Sequence, residues 1–235
     1  MVRKITPGGA ISLVVGDVGS GAVADGAPAV PSNMGAAGPL AVDAAGTVYF
    51  VDGTMLRYVD AATGLVGTLG GAGNVTLTGS GSTWSSGTIQ GSGTLTIASG
   101  ATLNLNTGGS KFLDARTIAI SSGGTLVHSG GQMHNQAANT VNNAGLLDIQ
   151  GDLNWVNNAG GPTTINNLAG GVVTKSAGAG TANWVGVGIN NAGAVNVQAG
   201  TLAVPGASLS NAGTIDVASS AIFSSSGQGF TNAGV

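Results

Sequence analysis

Asp114 and Arg116 flank Ala115, so on an extended strand their side chains point the same way and could pair with each other or grip a sugar. Lys111, His128 and His134 fall in the neighbouring stretches of chain. Groups of this kind would serve carbohydrate chemistry. Hydrolysis needs two carboxylates flanking one glycosidic bond, and elimination needs clustered carboxylates for Ca²⁺ with a basic residue to take a proton. The supply is short: beyond residue 73 the only carboxylates are Asp114, Asp148, Asp152 and Asp216, and the chain has no glutamate. Asp148 and Asp216 follow the same Asn-Ala-Gly phrase. They therefore recur by register, whereas catalysis would single out one place. Asp114 with Arg116 reads more simply as an exposed ion pair worth about 0–1 kcal/mol, so no catalytic residue is expected. His128 and His134 lack a third ligand and read as surface groups of an irregular segment, so no metal or cofactor is expected either. Trp155 and Trp184, like Trp84, sit in or beside loop-like stretches. There an indole can stack on a sugar ring or cap a corner of the core. The ligand-binding candidates are thus Trp155, Trp184, Asp114 and Arg116.

Strands must position these groups. Of 235 residues 44 are glycine, which costs about 1 kcal/mol at each interior helical position and argues against a helical protein. With no cysteine there are no disulfides or thiolate metal sites. Six Lys and Arg against nine Asp give no basic footprint for nucleic acid. No apolar run is long enough for a membrane-spanning helix. An apolar content of 42% in a regular pattern argues against disorder.

From residue 74 the chain repeats itself. Asn143-Ala144-Gly145, Asn191-Ala192-Gly193, Asn211-Ala212-Gly213 and Asn232-Ala233-Gly234, with Asn167-Leu168-Ala169-Gly170 as a variant, recur at intervals in the low twenties. That period fits one coil of a β-solenoid. The cleanest coil, 191–210, holds Ala194-Val195-Asn196-Val197, Thr201-Leu202-Ala203-Val204 and Ser208-Leu209-Ser210, three alternating strands closing a triangle. The expected inward set is Leu95, Ile97, Leu103, Leu105, Ile118, Ile120, Leu147, Ile149, Val195, Val197, Leu202, Val204, Ile215 and Val217. About seven coils are expected, wound right-handed as parallel crossovers usually are. One coil alone cannot stand, because fixing about 21 residues costs at least ~20 kcal/mol while its buried aliphatics return ~10–15. Asn143, Asn167, Asn191, Asn211 and Asn232 are expected to stack as a hydrogen-bonded ladder at one corner. A row of outward threonines, Thr76/Thr78 then Thr94/Thr96, would suit a crystalline surface such as ice. The equivalent outward sites that follow are Asn104/Asn106, Asn196/Gln198 and Asp216/Ala218, so the flat row is not sustained.

The phrases Gly213-Thr214-Ile215-Asp216-Val217 and Gly93-Thr94-Leu95-Thr96-Ile97 resemble those of bacterial filamentous-haemagglutinin-like and autotransporter passenger segments. The resemblance covers residues 74–235. It implies a parallel β-helix, export, a surface or secreted location and frequently adhesion.

Residues 1–72 differ, holding five of the Asp and both Tyr. Four apolar runs there, Leu40–Asp43, Thr47–Asp52, Leu56–Asp60 and Leu65–Leu69, have hairpin spacing and predict one antiparallel sheet of propeller-blade size. Gly38-Pro39-Leu40-Ala41-Val42-Asp43, Gly46-Thr47-Val48-Tyr49-Phe50-Val51-Asp52 and Leu56-Arg57-Tyr58-Val59-Asp60 resemble one NHL-type propeller repeat, and 2–12 the tail of a preceding one. Too few blades are present to close a ring, so the chain reads as part of a longer protein or as a degenerate remnant used as a cap. Arg3 and Lys4 are followed by Pro7-Gly8-Gly9 where an export signal would carry its apolar core, so no signal is expected here.

The expectation is therefore an all-β chain: an antiparallel blade-like module (1–72), then a right-handed parallel β-helix (73–235). Its expected role is a non-catalytic structural or adhesive segment of a secreted or cell-surface bacterial protein, with glycans or surface proteins as partners. A polysaccharide lyase or hydrolase is the alternative.

Overall fold

The computed structural model describes residues 2–5, 11–16, 28–29, 37–42, 46–52, 55–59, 66–68, 73–158, 160–226 and 229–234. The chain divides into two compact units, 1–73 and 74–235. All regular structure among the described residues is β.

The first unit holds two small antiparallel sheets. Val2–Ile5 pairs with Ile11–Val15, and Ala37–Val42, Val48–Asp52, Met55–Val59 and Val66–Thr68 form a four-stranded meander in chain order. Val2, Val15, Ala29, Val48, Phe50 and Val59 make its core. Asp43, Asp60, the end of the fourth run and the Gly70-Gly71-Ala72 segment lie outside the described residues.

The second unit is a parallel β-solenoid of about seven turns built on three sheets. The first sheet stacks Val75–Leu77, Thr94–Ile97, Thr117–Ile120, Asn139–Asn143, Thr163–Asn167, Val187–Asn191, Leu209–Asn211 and Phe230–Asn232. The second runs Ser82–Thr83, Thr102–Leu105, Thr125–His128, Leu146–Gln150, Val172–Ala177, Ala194–Val197 and Thr214–Val217. The third runs Gly87–Gln90, Lys111–Asp114, Met133–Asn135, Trp155–Asn157, Thr181–Val185, Thr201–Pro205 and Ile222–Ser226. Alternation sets which side chains enter: in Thr117–Ile120 the isoleucines are buried and Thr117 and Ala119 face out. Inward columns follow from register, as in Leu95, Ile118, Val141, Ile165, Ile189 and Leu209. Of the expected inward set, all but Ile215 and Val217 are buried. Those two belong to a strand paired on one side only among the described residues.

The corner after the first sheet fixes the stacking. Asn143 donates from Nδ2 to Asn167 Oδ1 (2.8 Å), Asn167 to Asn191 (2.7 Å), Asn191 to Asn211 (2.6 Å) and Asn211 to Asn232 (2.7 Å). In the first three the same nitrogen donates a second bond to a backbone carbonyl of the next coil, at Val172, Ala194 and Thr214. The ladder steps by 24, 24, 20 and 21 residues. Register corrects the variant phrase. Val172 pairs with both Leu146 and Ala194, so Gly171, rather than Gly170, stands over Gly145 and under Gly193, and this corner carries two extra residues. Those glycines are required by close approach. A Cβ at Gly193 would lie 2.2 Å from Gly171 O, and at Gly213 2.0 Å from Gly193 O.

Two outcomes follow. Gly193→Ala should destabilise the fold by about 1–3 kcal/mol in urea unfolding, whereas Gly108→Ala, with nothing within 4 Å of its added Cβ, should leave the midpoint nearly unchanged. Asn167→Asp replaces two donors by acceptors facing Asn191 Oδ1 and Ala194 O. It should cost about 3 kcal/mol near neutral pH and less in acid, where the carboxyl takes up a proton. A loss independent of pH would contradict the ladder's donor direction.

Candidate functional site

The inward side of the solenoid carries groups whose charge alone would send them outward. Lys111, Arg116 and Lys175 are fully buried. Lys111 Nζ donates to three backbone carbonyls, Thr107 (2.8 Å), Gly109 (2.8 Å) and Gly130 (2.9 Å). Lys175 Nζ donates to Ala177 O (2.7 Å), Gly178 O (2.9 Å) and Asp152 Oδ1 (3.1 Å). Both lysines fill the corner between the second and third sheets, where turning chain leaves carbonyls without ladder partners. Burial lowers the Lys111 pKa. The hydrogen bond from Lys175 holds the Asp152 carboxyl below its ordinary range. Arg116 lies inside the corner between the third and first sheets, and its backbone N–H donates to Asn139 Oδ1.

The sequence candidates do not assemble into one site. Ala115 has φ 53, so the chain turns between Asp114 and Arg116 instead of running straight. Asp114 stays half-exposed while Arg116 is enclosed, and the shared side expected of an extended strand is not formed. Trp155 and Trp184 are 2% and 0% exposed, too deep to stack on a sugar. Their rings meet edge-on at 5.6 Å in the core, with Trp155 Nε1 donating to Asn135 Oδ1. Trp84 is buried as well. A cavity beside the tryptophans, lined by Leu105, His128, Met133 and Ile149 among others, has about 10 Å³, the room of one water and no sugar. His128 is an interior residue rather than a surface one. It stands in the column Leu105, His128, Ile149, Lys175, and its Nε2 bonds Gly131 O at 2.8 Å. His134 is half-buried and stacks on Phe112 at 4.9 Å. No group of three or more metal-ligating side chains exists among the described residues. Asp148 and Asp216 share the column Asp148, Thr174, Asn196, Asp216. Three strand spacings, about 14 Å, separate them, beyond the roughly 5–9.5 Å of a glycosidase pair.

What the solenoid offers a ligand is its outside, and the first sheet is its most regular part. Register aligns Thr94, Thr117, Thr140 and Thr164 in one outward column. The adjacent column reads Thr76, Thr96, Ala119, Asn142, Asn166, Asn190, Ser210 and Thr231. The sites expected to break the threonine row belong elsewhere, since Asn104, Asn196 and Asp216 sit on the second sheet; on the first sheet the Thr94 column runs to Thr164 and then meets Gly188, while the Thr96 column passes to Ala119. Asn166 Nδ2 donates to Asn142 Oδ1 and Asn190 Nδ2 to Asn166 Oδ1, each at 2.9 Å, an outer ladder running opposite to the inner one. This outer pair of columns had no signature in the sequence beyond the doublets Asn142-Asn143, Asn166-Asn167 and Asn190-Asn191. Its outward residues carry no charge.

Burial, reinforced by Lys111, lowers the His128 pKa from 6.5 to about 4. The folded state therefore holds this proton less tightly than the unfolded chain. Stability is complete above pH 6.5 and falls as pH drops towards 4, by up to about 3 kcal/mol. Denaturation midpoints across that window should show the slope, and His128→Leu, which matches Leu105 beneath it, should remove it.

No protein-family model, no curated protein and no solved structure matches this chain.

Proposed function

We propose that the chain is a non-catalytic structural and adhesive segment of a secreted or cell-surface bacterial repeat protein, and that it binds glycans along the outward face of its first sheet. The observation that carries this reading is the pair of outward columns on that face, Thr94, Thr117, Thr140, Thr164 and Asn142, Asn166, Asn190, which stand side by side at Thr140 with Asn142 and at Thr164 with Asn166. A flat, repeating set of hydroxyls and amides has the chemistry to meet the hydroxyls of a sugar chain. The scattering of Asp114, Asp148 and Asp216 over two sheets supports a binding role over turnover. In this reading the solenoid is a right-handed β-helix of the filamentous-haemagglutinin-like passenger type. Its antiparallel companion is a partial NHL-type blade.

The test is a glycan array probed with the whole chain, run beside an assay for reducing ends and unsaturated products. Binding without product is the expected outcome. Turnover of a polysaccharide that Asp114→Ala abolishes would replace the adhesive reading with a carbohydrate-active enzyme.

A further inference from the structure

We infer that the ligand of this face is an extended, uncharged polysaccharide laid along the rod axis, a proposal that rests on the adhesive reading and names its ligand class. Charge is the first support. Residues 74–235 contain only three Lys or Arg, namely Lys111, Arg116 and Lys175, and each is 0% exposed. The ionisable groups reaching the solenoid surface are Asp114, Asp152, Asp216 and His134. A sulfated or uronic-acid polymer is held by surface cations. On this rod it would meet carboxylates and no exposed lysine or arginine.

The second support is the hydrogen-bonding capacity left on the face. Asn166 uses one N–H on Asn142 and one lone pair on Asn190. An amide carries two N–H and two lone pairs, so one of each stays available. Each threonine hydroxyl beside it can donate and accept. A neutral pyranose presents vicinal hydroxyls of the same dual character, so every step along the rod can satisfy it. Successive coils stand about 4.8 Å apart, comparable with the rise of one sugar in an extended chain. A polymer parallel to the rod would thus meet a threonine–amide pair in two successive coils, Thr140 with Asn142 and Thr164 with Asn166, flanked by Thr94, Thr117 and Asn190, and gain by multivalency what one sugar lacks. The ladder also pre-orders the amides, which lowers the entropy lost on binding. The other two faces are less suited. The second carries Asp216, and the third carries Asp114 beside the Phe112–His134 stack.

Affinity electrophoresis of the whole chain through gels containing hydroxyethyl-cellulose or carboxymethyl-cellulose tests this, since the two polymers share a backbone and differ in charge. Retardation by the hydroxyethyl polymer alone, insensitive to salt, is expected. Thr140→Val with Thr164→Val keeps side-chain shape while removing two hydroxyls. It should weaken retardation about tenfold in apparent Kd with the unfolding temperature unchanged. Thr140→Lys with Thr164→Lys should transfer binding to carboxymethyl-cellulose in a salt-sensitive form. Retardation of the unaltered chain by carboxymethyl-cellulose alone, abolished by salt, overturns the ligand class and leaves adhesion standing. Retardation by hydroxyethyl-cellulose that ignores the valine pair overturns the choice of face. Retardation by neither polymer overturns the inference, and the adhesive reading falls with it only if the glycan array is also blank.

Discussion

The close approach of one coil to the next at the Asn-x-Gly corner is the constraint on which the solenoid depends. Parallel strands at a spacing of about 4.8 Å leave no room for a side chain where the turning backbones pass. Gly171, Gly193, Gly213 and Gly234 therefore stand with each added Cβ only 2.0–2.2 Å from a carbonyl of the preceding coil. The asparagine two or more residues earlier supplies what the turn lacks. At Asn143, Asn167 and Asn191 its amide donates upward twice, and at Asn167, Asn191 and Asn211 its oxygen accepts from the asparagine below. An isolated coil has neither contact. Sequence periodicity, parallel register and stability are thus three views of one geometric fact.

The same need for partners explains the buried cations. Backbone at a corner leaves the ladder, and its carbonyls must be met by something. At the first corner asparagine meets them. At the second, in two coils, lysine does so, with Lys111 closing three carbonyls and Lys175 two carbonyls and Asp152. A buried ammonium is costly unless its donors are all used, and here each lysine has three acceptors. The consequence for recognition is indirect. Because the positive charges are consumed inside, the outside of the solenoid is left nearly neutral with a few scattered acids.

Legibility in the sequence divided along the same lines. The period, the three strands per coil and the asparagine column could be read because they follow from rules that repeat: alternation for strands, asparagine and glycine for tight corners. The antiparallel runs of the first unit were legible for the same reason. Burial of Trp155, Trp184, His128 and Lys175 was not, since a large or charged side chain inside violates the local rule and only the neighbouring coil shows why it is tolerated. Ala115 in a left-handed conformation separated Asp114 from Arg116 where a straight strand would have joined them. The sites that follow the threonine row were misplaced because each coil visits three sheets, so strands next to each other in sequence are not neighbours in a sheet. Thr94 and Asn104 are ten residues apart yet belong to different sheets, while Thr94 and Thr117 are neighbours in space.

That separation of roles runs through single strands. In Thr163–Asn167 the inward Thr163, Ile165 and Asn167 are buried, while Thr164 and Asn166 look outward. Adjacent asparagines thus do opposite work. Asn167 bonds forward, towards the C-terminal coils, and fixes the fold, whereas Asn166 bonds backward, towards the N-terminal ones, and stiffens the surface. Because the backbone ladder and the inner column carry the stacking energy, the outer column can change residue by residue, as it does from Thr96 to Ala119 to Asn142, without altering register. A solenoid of this kind can therefore vary what it binds while keeping its core, and a run of identical outward residues is a choice the fold does not impose. The runs Thr94, Thr117, Thr140, Thr164 and Asn142, Asn166, Asn190 on the first sheet are for that reason better evidence of recognition than any inward residue, however well placed.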